Sequence, residues 1–335
     1  MSERLVSIIM PVKNTAQFLE EGVLSIINQT YANWELLAVN DNSTDNSFEV
    51  LSTFAKQDAR IKVFNNAGNG IISALQTGYK NCLGEFITRM DSDDIMVPNK
   101  LEILASNLEI NGKGNVATGL VKYFPEEEIG EGFQKYEAWL NRLTQQGTTF
   151  SEIYKECVIP SPCWMMYRQD FEKCGAFNSK IYPEDYDLVF RMYQNKLKVI
   201  PCKEVIHLWR DYSSRTSRTH EHYADSSFIE IKLNYFLKLH YDITKNLVIW
   251  GAGKKGKFVA ELLLKKNIPF QWICDNPKKI GKHIYDVEML PFTALENIDN
   301  SQSIVSVASP KAQNEIVEYF DKKGLKSYSD YFFFC

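Results

Sequence analysis

The stretch LVSIIMPVKNTAQFLEEGVLSIINQTYANWELLAVND, residues 5–41, holds one complete strand–helix–strand pattern. It opens on a β-rich apolar run. Phe18, Leu19, Val23, Ile26 and Ile27 then recur at helix spacing, and WELLAVND returns to a β-rich run. The alternation continues outward. SFEVLSTFAKQ (47–57) reads as a helix, IKVFNN (61–66) as a strand, GIISALQTGYKNC (70–82) as a helix and EFITRMD (85–91) as a fourth strand. Strands separated by helices of this length predict a parallel sheet with right-handed crossovers. Such sheets bind ligands at the carboxyl ends of their strands. Asp41 and Asp91 each end a strand, so they can meet in one crevice although they are far apart in sequence.

The chain has 335 residues, enough for two domains that each bury a core. At 44% hydrophobic and 24% charged residues it fits a soluble globular enzyme rather than a disordered chain. A net charge of −4 argues against nucleic acid as a partner but leaves room for an anionic small molecule. The N-terminal apolar run, broken by Pro11 and Lys13, is too short for a signal peptide, and no stretch approaches ~20 apolar residues, so no transmembrane segment is expected. The cysteines form no CxxC pair and read as reduced thiols, as in a cytoplasmic protein. Beyond residue 100 the pattern is less periodic. SSFIEIKLNYFLKLHYDI (226–243) reads as a helix, and KNLVIWGAGKKGKFVAELLLKK (245–266) then restarts a strand, a Gly-rich turn and a helix. The expected boundary lies near residue 243, giving a first domain over 1–242 and a second over 243–335.

Three acids, Asp91, Asp93 and Asp94, crowd the end of the fourth strand in DSDD. Their repulsion must be offset by a cation or by solvent. Asp91 and Asp93 leave room for a divalent ion, and hard oxygen ligands suit Mg²⁺ or Mn²⁺ shared with substrate phosphates. Equally, the turn could be solvated, with Asp94 capping the helix PNKLEILASNLE. Asp41 could accept hydrogen bonds from a nucleobase edge, while Ser43, Thr44 or Asp45 caps the following helix. In YPEDYDLVFRM (182–192), Glu184, Asp185 and Asp187 lie among aromatic and apolar residues that raise a carboxylate's pKa and suit it to general-base work. The same acids also favour a helix start after Pro183.

The order and spacing of VSIIMPVKNTAQFLEEGVLSIINQTYANWELLAVNDNSTDNS (6–47), GEFITRMDSDDIMVPNKLE (84–102) and YPEDYDLVFRM resemble the family 2 glycosyltransferases. The likeness runs over about residues 5–220. It implies the A-type nucleotide-diphospho-sugar transferase fold, an α/β architecture with a mainly parallel sheet flanked by helices. It also implies a metal-dependent, inverting, hexosyltransferase-type reaction, moving sugar from a nucleotide-diphospho-sugar, UDP-linked by family habit, to a hydroxyl acceptor. By the resemblance, Pro11 and Asn14 lie along the nucleoside and Asp41 reads the base. Asp91 and Asp93 hold the metal (Mn²⁺ or Mg²⁺) and the donor diphosphate, Asp185 is the catalytic base and Glu184 is its companion acid. The implied acceptor is a saccharide or lipid-linked saccharide of surface polysaccharide or glycolipid synthesis. A lipid-linked acceptor would favour peripheral attachment at the inner face of the membrane.

The sequence departs from the family pattern at two places. NDNS stands where Asp-Asp-Gly-Ser is commonest, so Asn40 and Asn42 replace an acid and a glycine. Tyr212 stands where many members carry a histidine two residues after an arginine, here Arg210; His207 or His220 could substitute or be structural. Arg215 and Arg218, among Ser214 and Ser217, form a basic, hydroxyl-rich loop suited to a diphosphate, or a solvated loop that orders when donor binds.

In the last third, Gly251, Gly253 and Gly256 follow a strand and open a helix, with Asp275 ending the next strand, as in a dinucleotide-binding turn. Phe258 stands where a phosphate loop needs Ser or Thr, which argues against an ATPase. The segment resembles the small Rossmann-like domains attached to sugar-modifying bacterial enzymes, which bind nucleotides or serve in assembly. Competing readings are a nucleotidyltransferase of similar fold, disfavoured because PVKNTAQF replaces that class's Gly-rich basic loop, and a non-catalytic sugar-nucleotide-binding protein. An NAD-dependent oxidoreductase, for residues 243–335 alone, lacks a substrate-side domain.

Overall fold

The structure is a computed structural model that describes residues 4–125, 130–213, 215 and 221–335. The chain divides into two compact units. One takes the residues up to 151 together with 157–219, and the other takes 152–156 together with 220–335.

The first unit opens with β1 (Val6–Val12), α1 (Ala16–Ile27), β2 (Trp34–Asn40), α2 (Ser47–Gln57), β3 (Ile61–Asn65), α3 (Ile71–Lys80) and β4 (Phe86–Arg89). The four strands run parallel in the order β3-β2-β1-β4, with Ile8 level with both Leu36 and Thr88. Both sheet faces are covered, which is why β1 and β2 are apolar almost throughout. Val6, Ile8, Met10, Leu36 and Ala38 share a core with Leu19, Val23, Ile26 and Leu51 on one side. On the other side Ile9 and Val39 meet α3 at Gly78, where a Cβ would come within 2.6 Å of the Ile9 side chain. Pro11 lies beyond Ile9, the last residue of β1 paired with β4, so its missing N–H leaves no ladder bond open on that edge.

Beyond β4 the sheet becomes mixed. The following elements are β5 (Ile95–Met96), α4 (Lys100–Asn111), β6 (Asn115–Pro125), α5 (Glu131–Gln146), β7 (Trp164–Tyr167), α6 (Arg168–Lys173), α7 (Glu184–Gln194) and β8 (Lys198–Asp211). Among the described residues, the sheet continues from β4 as β7-β6-β8-β5. β7 is antiparallel to both β4 and β6, β8 is parallel to β6, and β5 is antiparallel to β8. The β5–β8 pairing sets the DSDD turn beside the end of β8, with Met96 level with His207.

The second unit contains α8 (Asp225–Leu239), β9 (Asn246–Trp250), α9 (Lys254–Lys265), β10 (Gln271–Cys274), β11 (His283–Ile284), β12 (Val287–Pro291), β13 (Ser301–Val305), α10 (Pro310–Lys322) and β14 (Tyr331–Phe333). Its sheet order is β11-β12-β10-β9-β13-β14, parallel from β12 to β14. The first strand of this set is central and the chain winds outward from it in both directions, the arrangement of a doubly wound fold. Val248, Trp250, Ile273, Val305, Phe320 and Tyr331 form its core. α8, which the 1–242 expectation placed in the first domain, falls in this unit. Its Phe236 packs edge-on against Phe332, and its buried Lys232 donates to the Lys155 carbonyl at 2.6 Å. Residues 152–156 enter the unit through Tyr154, whose ring stacks on Phe334 at 5.6 Å. Among the described residues no helix is long and apolar enough to cross a membrane.

Candidate active site

The carboxyl ends of β1, β2 and β4 bring three loops together. Asn14 takes a positive φ of 53°, and its side-chain oxygen accepts from the Thr44 N–H at 2.7 Å. Ser43 Oγ accepts from the Asn14 N–H at 3.1 Å, so the loops after β1 and β2 are knitted together. Asp45 serves two helices at once. Its Oδ2 accepts from the Ala16 N–H at the start of α1, and its Oδ1 from the Ser47 N–H at the start of α2. Charge on these oxygens suits both helix N-termini.

The NDNS departure has a local physical account. Asn42 sits at φ 55°, a left-handed position where glycine is easiest and asparagine is the usual alternative. Asn40 donates to Asn65 Oδ1 and accepts from the Ser43 N–H, a pair of roles that an amide can fill and an ionised carboxylate cannot. Asp41 is buried at the end of β2. Its Oδ1 accepts from Asn66 Nδ2 at 2.6 Å and from the Gly70 N–H at 3.0 Å, while its Oδ2 faces the half-exposed Lys13 ammonium at 3.3 Å. The Gly70 N–H also donates to Oδ2 at 3.1 Å, so both oxygens are held from the loop after β3.

The DSDD acids separate into three environments. Asp91 Oδ1 accepts from Arg89 Nε at 3.0 Å and lies 2.9 Å from Arg89 Nη2. Asp93 Oδ2 accepts from the Tyr212 hydroxyl at 2.8 Å and faces Arg215 Nε at 3.8 Å. Burial, reinforced by repulsion from Asp94, pushes the Asp93 carboxyl up to about 6, against the pull of Arg215. Asp94 is wholly buried and does not cap the next helix, which starts at Lys100 after Asn99. Instead its oxygens accept from the Arg210 N–H at 2.8 Å and meet His207 Nε2 at 3.0 Å. His207 is completed by Lys100, whose ammonium lies 3.2 Å from Nδ1 and donates to the Pro162 carbonyl at 2.7 Å. Burial and the neighbouring Lys100 hold the His207 pKa well below its usual value. A neutral ring that accepts at Nδ1 donates at Nε2 to Asp94. His207 is thus a buried structural link, and Tyr212 occupies the contact with the acid turn. The phenol is held well above its usual pKa by burial and by Asp93, so it acts as a donor.

Glu184 and Asp185 open α7, with Pro183 preceding the first turn. Helix start and acid cluster therefore coincide. Glu184 Oε1 accepts from Arg89 Nη1 at 2.9 Å. Asp185 Oδ2 accepts from Ser161 Oγ at 2.9 Å and its Oδ1 from the Tyr186 N–H at 2.7 Å. Burial first, and the adjacent Glu184 second, push the Asp185 carboxyl up to about 6, while Arg89 and Ser161 pull it down. Asp187 is committed to Arg191 at 2.8 Å along the same helix.

Arg89 therefore touches both Asp91 and Glu184, and it brings the end of β4 together with the start of α7. The sequence reading did not select it. Its signal was a lone arginine among the uncharged residues Phe86 to Met90, because a buried guanidinium requires acid partners. Ser161, Tyr212 and Lys100 were likewise not read as site residues. Arg215 is buried over the Trp209 ring at 5.0 Å and pairs with the acid turn. Arg218, Ser214, Ser217 and His220 lie outside the described residues. Among the described residues, no three His, Cys, Asp or Glu side chains converge as a metal cage.

In the second unit the Gly-rich turn joins β9 to α9. Gly251 takes φ 118°, and a Cβ on Gly256 would fall 2.1 Å from the Gly251 carbonyl oxygen. Gly253 faces open space within 4 Å, and Asp275 is exposed just past the end of β10. The turn thus separates the glycine needed for close packing from the one that leaves room for approach.

The family model described as glycosyl transferase family 2 matches residues 7–175. EpsJ of Bacillus subtilis, an uncharacterized glycosyltransferase, is 38% identical over 261 residues, 70% of this chain and 75% of its own length. WfgD of Escherichia coli, a UDP-Glc:alpha-D-GlcNAc-diphosphoundecaprenol beta-1,3-glucosyltransferase, is 44% identical over 108 residues, 32% of this chain and 42% of that protein. Among solved structures, S. aureus TarS 1–349 in complex with UDP-GlcNAc aligns with a TM-score of 0.53 at 16% identity, covering 77% of this chain and 71% of that one. The mannosyltransferase PcManGT from Pyrobaculum calidifontis in complex with GDP-Man and Mn²⁺ aligns with a TM-score of 0.51 at 16% identity, covering 78% and 69%. The two structures share the fold of the first unit's mixed sheet, and the sequence match carries the kinship: the chain belongs to glycosyltransferase family 2.

Proposed function

We propose that the protein is an inverting glycosyltransferase that uses a nucleotide-diphospho-sugar, UDP-linked, with a divalent cation. The observation that carries this reading is the convergence of Asp91 and Glu184 on one guanidinium, which joins the acid turn after β4 to the acid pair of α7. Pro11, Asn14 and Asp41 line the nucleoside, and Asp41 reads the base. Asp91 and Asp93 suit a hard cation because they offer oxygen donors only and carry crowded negative charge in a buried turn. Two protein carboxylates leave the other positions to substrate oxygens and water. When bound, Mn²⁺ or Mg²⁺ would neutralise the charge that develops on the departing nucleoside diphosphate. Arg215 and Arg218 contribute positive charge toward the diphosphate.

Asp185 is the base. It takes the acceptor hydroxyl's proton at Oδ2 or Oδ1 as that oxygen attacks the anomeric carbon. A pKa near 6 leaves it ionised at neutral pH yet more basic than an ordinary aspartate. No side chain forms a bond to the sugar, so a single displacement inverts the anomeric centre. The acceptor of WfgD, an alpha-D-GlcNAc-diphosphoundecaprenol, supports a saccharide or lipid-linked saccharide acceptor here and hence a place at the inner membrane face. The turn at Gly251, Gly253 and Gly256, with Asp275 nearby, supports nucleotide binding in the second unit.

The test is a thermal-shift and turnover screen of UDP-, GDP- and dTDP-sugars with and without Mn²⁺. Asp93→Ala should abolish metal-supported donor binding, and Asp185→Asn should keep donor binding while stopping transfer. Near-normal transfer by Asp185→Asn, or no response to any sugar nucleotide, would overturn the assignment.

A further inference from the structure

Arg89 is 5% exposed, at the last position of a buried strand. Its guanidinium is divided between two acids from opposite ends of the site. Nε and Nη2 address Asp91 Oδ1 at 3.0 and 2.9 Å, and Nη1 addresses Glu184 Oε1 at 2.9 Å. A planar guanidinium holds two such partners at a fixed angle, whereas an ammonium on a flexible stem does not. Glu184 is itself 8% exposed and uses the oxygen nearest Arg89 in this contact. The neighbouring Asp185 is instead oriented by Ser161 Oγ and the Tyr186 N–H.

We propose that Arg89 is a positioning residue: a rigid, charged cross-tie that fixes the donor-side acid Asp91 relative to the base-bearing turn of α7, with Glu184 as its anchor and not as a second base. This rests on the reading of Asp185 as the base. One cation is shared by two acids, so any movement of Asp91 toward a bound donor is transmitted to Glu184 and then to Asp185 through one inextensible group. The charged groups facing Asp185 are Glu184 and Arg89, so removing either charge must move the acid limb of kcat, in opposite directions.

The test is a double-mutant cycle on the full chain. Turnover is followed with whichever of UDP-glucose, UDP-N-acetylglucosamine and GDP-mannose the wild type hydrolyses with Mn²⁺, and UDP binding is measured by calorimetry. Arg89→Met and Glu184→Gln should each lower kcat about tenfold or more with UDP affinity within about threefold, and the double variant should lose far less than the product of the two. The acid limb should rise in Arg89→Met and fall in Glu184→Gln. Arg89→Lys restores charge without the fork and should recover the limb but not the full kcat. If Arg89→Met does not fold, Arg89→Lys carries the same cycle with Glu184→Gln. Losses that multiply, effects confined to UDP affinity, or wild-type kcat in Arg89→Lys would overturn the cross-tie. Activity retained by Asp185→Asn, or no turnover of any of the three donors by the wild type, would instead overturn the reading beneath it.

Discussion

Replacing Ser161 with alanine removes the hydroxyl that donates to Asp185 Oδ2 at 2.9 Å. A hydrogen bond to an ionised group is worth about 1.5 kcal/mol at the low end, and one pKa unit corresponds to about 1.4 kcal/mol. The donor favours the ionised carboxylate, so its loss raises the pKa. Asp185, at about 6 in the intact protein, should move to about 7 in Ser161→Ala. If Asp185 must be ionised to accept the proton, the acid limb of kcat moves up with it. At pH 6 the wild type would keep about half of its plateau rate and the variant about a tenth, a roughly fivefold gap. At pH 8 the two should agree within roughly 10%. The assay is kcat for sugar transfer or donor hydrolysis at saturating donor and Mn²⁺, measured from pH 5 to 8. A limb that stays in place, or a loss equal at pH 6 and pH 8, would refute the claim that this hydroxyl tunes the base.

Other outcomes follow from packing. Gly256→Ala drives a Cβ into the Gly251 carbonyl and should destabilise the second unit by about 1–3 kcal/mol, whereas Gly253→Ala should be neutral to within about 0.5 kcal/mol; equal melting temperatures for the two would contradict this. Lys100→Met strips the buried link of its cation and leaves the Pro162 carbonyl and His207 without a donor, a loss of about 3–5 kcal/mol in urea unfolding. A change below about 1 kcal/mol would show the link to be idle. Asn42→Gly should be tolerated, and Asn42→Val should cost about 1–2 kcal/mol because of its left-handed backbone. Equal unfolding midpoints for these two variants would count against that account.

The parallel half of the first sheet was legible because helices with a 3.6-residue apolar period separate short, β-rich runs that are apolar almost throughout at β1 and β2. The mixed half was not. β6 changes register against β8 around Leu120, so its inside–outside alternation breaks. β7 is a four-residue buried run that pairs antiparallel with β4 and β6, outside the strand–helix alternation that framed the earlier strands. The acids of the site were legible as clusters at strand and helix ends, where excess charge is conspicuous. Their partners were not: Arg89 and Glu184 lie 95 positions apart, and a lysine at the start of α4 looks like a surface residue until His207 and Asp94 close over it. The family likeness carried an expectation of a histidine at 212, and the structure shows how a tyrosine meets the same acid turn through its hydroxyl.

Tyr154 has a consequence for how the protein is made. Its ring partners Phe236, Phe332 and Phe334 are encoded far downstream, so during synthesis this aromatic segment leaves the ribosome long before those partners exist. A nascent chain stopped at residue 219 would carry Tyr154 without these ring partners, in a segment that belongs to the unit still to be made, a natural point for chaperone capture or proteolysis. Dissection by one cut fails for the same reason. A fragment that begins at residue 220 lacks the strand of chain that fills its own aromatic pocket, and adding a peptide spanning residues 152–156 is the way to restore it.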